Sequence, residues 1–258
     1  MNKQYFLTGS SGAVGKLFSE TLKQLGKPVH FLLRDEGCDS WLLSWSQLFS
    51  EYIMSAEPTN LVVIHLAIPP QPRNPKVLDR YIQNTLELAE SVRNVNGEFW
   101  FVSSLSAHQG NPSLYSQHKC LLEEKVLHFG GNVLRLGLVT SDAVNSSFQR
   151  LKKLTHLIPC EVLTKKDAVY FLTGVEDISR WLQMRSSISS PTRTSDTCAD
   201  MKSRSCADVF SNRRSNSVGF FPFLVLARFI MSLIHRHNNY LFDPIVNFYY
   251  GMRMIPDV

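Results

Sequence analysis

Tyr115 and Lys119 stand four residues apart in LYSQHKCLLEE, residues 114–124, at the head of an apolar-periodic run. Four residues make about one helical turn, so both side chains fall on one helix face. A phenol ionises near pH 10, and a neighbouring ammonium favours its phenolate. A tyrosine so placed can give a proton to a carbonyl oxygen, or take one from an alcohol, near neutrality. The same spacing occurs on ordinary helix surfaces. The pair therefore needs elements that bring a reactant to it.

The N-terminal stretch supplies a candidate. An apolar run, QYFLT at 4–8, passes straight into TGSSGAVG at 8–15, with Gly9, Gly12 and Gly15 each three apart, and helical periodicity follows over 13–25. Glycine at the first position permits a tight turn. At the second it lets backbone N–H groups approach a pyrophosphate, and at the third it lets the helix pack close to the strand. The helix N-terminus then offers the anion its unpaired donors. A glycine triplet alone is weak evidence, but one lying between strand and helix predicts a dinucleotide site. After the second strand the sequence reads VHFLLRDEG. Arginine there accommodates the 2′-phosphate of NADP, whereas an acidic residue hydrogen-bonds the ribose of NAD. Arg34 comes first and Asp35 one place later, which favours NADP(H) over NAD(H).

The elements follow the same logic along the chain. Strands are expected at 29–33, 61–67, 98–104 and 132–139, and helices at 76–94 and 114–129. The strands are continuously apolar rather than alternating, which indicates a parallel sheet covered on both faces. Beyond about residue 140 the pattern weakens. Residues 186–217, rich in Ser, Thr and Arg, read either as the solvent-facing part of a small lobe or as a partly disordered loop.

Composition excludes several classes. Of 258 residues, 44% are hydrophobic and 19% charged, as in ordinary globular chains. The net charge of +5 is spread out, with no Lys/Arg block that would argue for nucleic acid. The five cysteines include no C-x-x-C pair, which suits a reduced compartment better than a disulfide framework or zinc site. The N-terminus reaches glycine too soon for a secretory signal. Residues 219–234, GFFPFLVLARFIMSLI, are broken by Pro222 and Arg228 and too short to span a bilayer, leaving core packing or a membrane-face contact. His65 reads as a packed strand residue, His235 and His237 lack a metal-ligand pattern, and Asp177 reads as a helix cap or interdomain contact.

Together the motifs resemble the extended branch of the short-chain dehydrogenase/reductase superfamily, whose members modify nucleotide sugars. The matching stretches are TGSSGAVG at 8–15, IHLA at 64–67, FVSSLSA at 101–107, YSQHK at 115–119, VLRLGLV at 133–139 and VEDIS at 175–179. The resemblance covers residues 4–180 and fades beyond. It implies an α/β fold: a Rossmann-like doubly wound parallel sheet, with an NAD(P)-binding domain at 1–140. Residues 141–258 would be a mixed region, partly returning to the core and forming a small C-terminal substrate lobe. It further implies that Tyr115 is the acid/base, that Lys119 lowers its pKa and holds the nicotinamide ribose, and that a serine binds the substrate oxygen. Ser103, Ser104 and Ser106 all flank the expected spot. Ser104 is favoured because it closes the strand. Gly9, Ser11, Gly12, Ala13, Val14, Gly15, Arg34, Leu66, Ala67 and Lys119 would contact the cofactor.

Three departures stand against this. The interval from Ser104 to Tyr115 is short, Tyr81 stands where the family often has asparagine while Asn84 is displaced, and Leu136 replaces a frequent proline. The expectation is a cytoplasmic epimerase or 4-ketoreductase transferring hydride at C4 of a nucleotide-activated hexose, in surface-polysaccharide biosynthesis. Homodimerisation is compatible with it. The competing readings are a non-catalytic NADP(H)-binding scaffold or redox sensor of the same fold, and a reductase of another carbonyl compound.

Overall fold

The computed structural model describes residues 3–32, 45–47, 49–50, 60–67, 75–142, 146–157, 163–164, 168–188, 194–210, 247 and 249–252. Arg34, Asp35, His235, His237 and the apolar stretch 219–234 lie outside them.

Six parallel strands form the sheet: β1 (Gln4–Thr8), β2 (Val29–Leu32), β3 (Leu61–His65), β4 (Glu98–Ser104), β5 (Asn132–Leu136) and β8 (Ser195–Cys198), in the order β2-β1-β3-β4-β5-β8. Side chains alternate between two faces, and both faces are buried. Phe6, Val63, Phe99, Phe101 and Val133 enter one core. Tyr5, Leu7, Val62, Ile64, Trp100, Val102 and Leu134 enter the other. That double burial is why the strands read as continuous apolar runs. Helices α2 (Pro75–Asn94) and α3 (Leu114–His128) cover the first face with Leu88, Val92, Leu122 and Val126. On the second face lie α1 (Ala13–Gln24) and α5 (Val175–Ser187), which contribute Phe18, Leu22, Ile178, Trp181 and Leu182. The fold is a Rossmann-like, doubly wound α/β sheet.

Strand order reverses at β1, whose neighbours β2 and β3 lie on opposite sides. In such sheets the crevice beyond the carboxyl ends at this point is where ligands bind. Thr8, His65 and Ser104 end their strands at that edge.

Two segments differ from the sequence expectation. The run at 132–139 is two strands, because the chain leaves the sheet at Gly137 and continues as β6 (Leu138–Val139), pairing with β7 (Leu172–Thr173). A Cβ at Gly137 would lie 2.3 Å from the Phe171 carbonyl oxygen, so only glycine passes there. Residues 195–198, from the Ser/Thr-rich stretch, form the buried edge strand β8 rather than a solvated loop. Its polar groups are paired: Asp196 accepts from Trp181 Nε1 at 2.7 Å and from Arg185 Nε at 2.7 Å. A buried polar residue with such partners gives no hydropathy signal.

A third core gathers Leu138, Leu163, Tyr170, Cys206 and Phe210. Helices α4 (Ser147–Leu157) and α6 (Cys206–Phe210) belong to it, with Phe148 against Phe210 at 5.5 Å between ring centroids.

Candidate active site

The turn after β1 has the conformation its glycines permit. Gly9 sits at φ +68°, and a Cβ there would lie 2.6 Å from the Ala67 nitrogen. A Cβ at Gly15 would lie 2.2 Å from the Gly9 oxygen, so these two glycines let β1, the turn and α1 touch. Gly12 differs. Its Cβ would meet only the Gly9 oxygen, at 3.4 Å, and the residue is exposed. The protein's own packing leaves that space open, at the N-cap of a helix with no side-chain cap and no acidic residue in its first turn. Ser11 is exposed beside it, Ala13 is half-buried in the first turn, and Val14 packs against the second core.

Leu66 and Ala67 continue β3 alongside this turn. Their N–H groups donate to Thr8 Oγ1 at 3.2 and 3.3 Å. Thr8 Oγ1 in turn lies 2.8 Å from Nδ1 of fully buried His65, whose Nε2 lies 3.2 Å from Thr85 Oγ1. Thr85 Oγ1 donates to the Tyr81 carbonyl, and the Tyr81 hydroxyl donates to the Ala67 carbonyl at 2.8 Å. His65 is thus a brace between strand and helix. Tyr81, which occupies the place of the family's asparagine, fixes the loop carrying Ala67.

At the end of β4 the three serines separate. Ser103 is buried, and its hydroxyl has no partner among the described residues. Ser104 Oγ lies 2.9 Å, oxygen to oxygen, from Ser106 Oγ, and Ser104 acts on the Tyr115 phenol in the lowering direction. Tyr115 opens α3, whose N-cap Ser113 accepts from Ser116 N–H at 3.1 Å. One turn on, buried Lys119 donates to the Val102 carbonyl at 2.7 Å and lies 4.4 Å from the Phe101 ring centroid. Its ammonium is 6.0 Å from the Tyr115 ring centroid. Another turn on, Glu123 makes a buried pair with Arg135, accepting at Oε2 from Nε at 3.0 Å and Nη2 at 2.8 Å.

These surroundings act on both titrating groups. Burial pushes the Tyr115 phenol up to about 12, against the lowering effect of Ser104. Burial brings the Lys119 ammonium down to about 8, and nearby Glu123 opposes that. In the protein without cofactor, burial dominates at the phenol, while the Lys119 ammonium donates to the Val102 carbonyl. Tyr115 is therefore protonated at neutral pH, which is the state of an acid.

Two residues were illegible in the sequence. Asn111 and Asn247 are 136 positions apart, yet the Asn111 side chain donates to the Asn247 side-chain oxygen at 3.0 Å beside Ser106. No motif or period marks either one. Among the described residues there is no cluster of metal-ligating side chains, and no helix is long and apolar enough to cross a membrane.

No protein-family model matches the sequence, and no curated protein matches it. Solved structures match its fold. MoeE5 in complex with UDP-glucuronic acid and NAD superposes with a TM-score of 0.59 at 18% identity, over 81% of this chain and 80% of that one. A dTDP-4-dehydrorhamnose reductase from Bacillus anthracis, in complex with NADP, gives 0.56 at 16% identity, over 90% and 82%. The UDP-glucose 4-epimerase of Thermus thermophilus, in complex with NAD, gives 0.57 at 15% identity, over 81% of each chain. The chain has the fold of these epimerases and reductases.

Proposed function

We propose that the protein is an NAD(P)-dependent epimerase or 4-ketoreductase of the extended short-chain dehydrogenase/reductase type, acting at C4 of a nucleotide-activated hexose. The observation that carries this reading is Tyr115 one turn before buried Lys119 on α3, the ammonium 6.0 Å from the Tyr115 ring centroid, at the carboxyl end of the sheet where the glycine turn opens. The open space at Gly12 fits a pyrophosphate, with the α1 N–H groups as donors. Gly9, Ser11, Gly12, Ala13, Val14, Gly15, Leu66 and Ala67 would line the dinucleotide, and Lys119 would reach its ribose. Arg34 favours NADP(H). A bound nicotinamide would supply or take up the hydride at the sugar carbon. Tyr115, protonated, would hand its proton to the keto oxygen, and Ser104 would hold that oxygen in place. Glu123 and Arg135 neutralise each other behind Lys119.

The substrate would come from surface-polysaccharide synthesis in the cytoplasm. Free Cys120, Cys198 and Cys206 suit a reducing compartment. A homodimer would use the groove between α2 and α3, where Ile82, Leu86, Leu121 and Phe129 meet.

The test is Tyr115→Phe, which keeps the ring and removes the proton. Turnover of 4-keto and 4-hydroxy nucleotide sugars, read by nicotinamide absorbance, should fall about 10²–10⁴-fold with cofactor affinity little changed. Equal rates for parent and variant would sink the assignment. Tight NADPH binding without turnover of any sugar would favour the scaffold or sensor. For cofactor choice, Arg34→Ala should weaken NADPH binding by about 1.5–3 kcal/mol and spare NADH. Equal weakening of both would make Arg34 structural.

A further inference from the structure

The hydrogen bonds that join the ends of β1 and β3 to α2 each have a direction, and proton counting fixes it from two sides. One side begins at backbone N–H groups, which can only donate. Those of Leu66 and Ala67 donate to Thr8 Oγ1, at 3.2 and 3.3 Å. Both lone pairs of that hydroxyl are then engaged, and its own proton goes to His65 Nδ1 at 2.8 Å. The other side begins at the Tyr81 carbonyl, which can only accept. Thr85 Oγ1 gives it the hydroxyl proton at 2.8 Å. Thr85 therefore meets His65 Nε2, 3.2 Å away, as an acceptor, and that nitrogen carries a hydrogen.

The two counts start on opposite sides of the imidazole and reach the same state: Nδ1 bare, Nε2 protonated, no net charge. An imidazolium, or the other neutral tautomer, would aim a third donor at Thr8 Oγ1. The last link closes a ring. The Tyr81 hydroxyl donates to the Ala67 carbonyl at 2.8 Å, and the Ala67 N–H is the donor to Thr8. Around the ring Ala67, Thr8, His65, Thr85 and Tyr81 each donate to the next. Ala67 is held at both its N–H and its carbonyl, with its nitrogen 2.6 Å from where a Cβ on Gly9 would lie.

We infer that His65 is a positioning residue for the dinucleotide crevice: locked as the neutral Nε2–H tautomer, it takes the Thr8 proton, keeps Thr8 Oγ1 an acceptor for the Leu66 and Ala67 N–H groups, and so holds Ala67 against the glycine turn. The inference rests on the reading of that turn as a dinucleotide site. It gives a fully buried histidine a task that packing alone does not require.

The tautomer is tested in the protein without cofactor. Proton–nitrogen correlation spectra of nitrogen-labelled imidazoles, with His65 assigned through its ring carbons to the backbone, separate the two neutral tautomers and the imidazolium. The Nε2–H form is expected, and either other form overturns the inference. The positioning is tested with Thr8→Val, which keeps the shape and removes the hydroxyl. The His65 Nδ1 resonance should shift and the Ala67 amide should lose exchange protection. Whichever of NADPH and NADH binds the parent more tightly should bind about tenfold more weakly, the worth of about one hydrogen bond. Thr8→Ser restores the hydroxyl and should return all three readings toward the parent. Parent-like Ala67 exchange or dinucleotide affinity in folded Thr8→Val overturns the positioning role. If Thr8→Val does not fold, Tyr81→Phe opens the ring at the Ala67 carbonyl and must weaken the dinucleotide similarly; unchanged affinity there is equally decisive. A parent that binds neither dinucleotide overturns the reading of the crevice, and the positioning role with it, while the tautomer result stands by itself.

Discussion

Lys119 is placed where its charge costs stability. It is buried, with the Val102 carbonyl as acceptor and the Phe101 ring beside it, and burial holds its ammonium at about 8 against a usual 10.5. A folded-state value below the unfolded one means that the unfolded chain binds more protons between those limits, so stability rises with pH from about 8 to about 10.5. At about 1.4 kcal/mol per pH unit, the cost near neutrality is on the order of 3 kcal/mol. Lys119→Met should therefore be more stable than the parent at pH 7 by up to about that amount, with the advantage shrinking as pH rises through the same window. Denaturant titrations across pH measure it, and a pH-independent difference would refute it. Tyr115 runs the opposite way. Raised from 10 to about 12, its phenol makes the folded state the better proton binder, so stability should fall as pH passes from about 10 to 12, and Tyr115→Phe should lose that fall. A residue that costs stability where a neutral side chain would fit is consistent with a site kept for chemistry.

The turn between β1 and α1 separates two kinds of glycine, and substitutions should separate them too. Gly9→Val forces a branched residue to φ +68° with its Cβ inside the Ala67 backbone, so the variant should unfold at lower denaturant or fail to fold. Gly12→Val meets ordinary contact only. It should melt like the parent within about 1 kcal/mol yet lose NADPH in calorimetric titration, because the side chain fills the pyrophosphate space. Retained affinity in folded Gly12→Val would remove the dinucleotide from this turn. Both glycines were visible in the sequence, as were β1, β3, β4 and α3, because strands buried on two faces and a helix with an apolar-periodic run have strong local signatures. The split at Gly137 was not, since the close approach of the Phe171 carbonyl is a tertiary event. Nor was β8: SDTC has no apolar run, and what buries it is Asp196 held by Trp181 and Arg185 from α5. Removing one partner of that buried cluster, as Asp196→Ala, should cost about 3–5 kcal/mol by leaving Arg185 uncompensated, measurable by denaturant unfolding. A loss below about 1 kcal/mol would make the cluster incidental.

At the scale of the molecule, the sheet's two cores and the third core beyond Gly137 differ in what they contain and how they are joined. Trp45, Trp100 and Trp181 all lie in the sheet's cores, while the third is built around Leu138, Leu163, Tyr170 and Phe210. Among the described residues the joints include the Gly137 N–H to Thr173 Oγ1 at 2.8 Å, Thr173 Oγ1 to the Cys198 carbonyl at 2.5 Å, the Asp200 N–H to the Leu172 carbonyl at 2.7 Å, and Leu105 packed with Phe171 and Ala199. This part was the least legible in the sequence, because its contacts join residues 138, 170 and 210 across long intervals with no shared period. Whether the third core opens on its own depends on how strongly these joints couple it to the sheet. Phe210→Ala removes the ring that Phe148 packs against and should cost the third core about 3–5 kcal/mol. A five-residue helix has little stability of its own, so α6 and α4 should lose amide-exchange protection together. Tryptophan emission should remain native, and NADPH should still bind, because the glycine turn belongs to the sheet. On the proposed function, nucleotide-sugar affinity should fall, since β6 of the third core follows the carboxyl end of β5, the side of the sheet from which a substrate would approach Tyr115. If exchange protection and tryptophan emission are lost in one coincident transition, the chain is a single cooperative unit and the third core is not a separate substrate lobe.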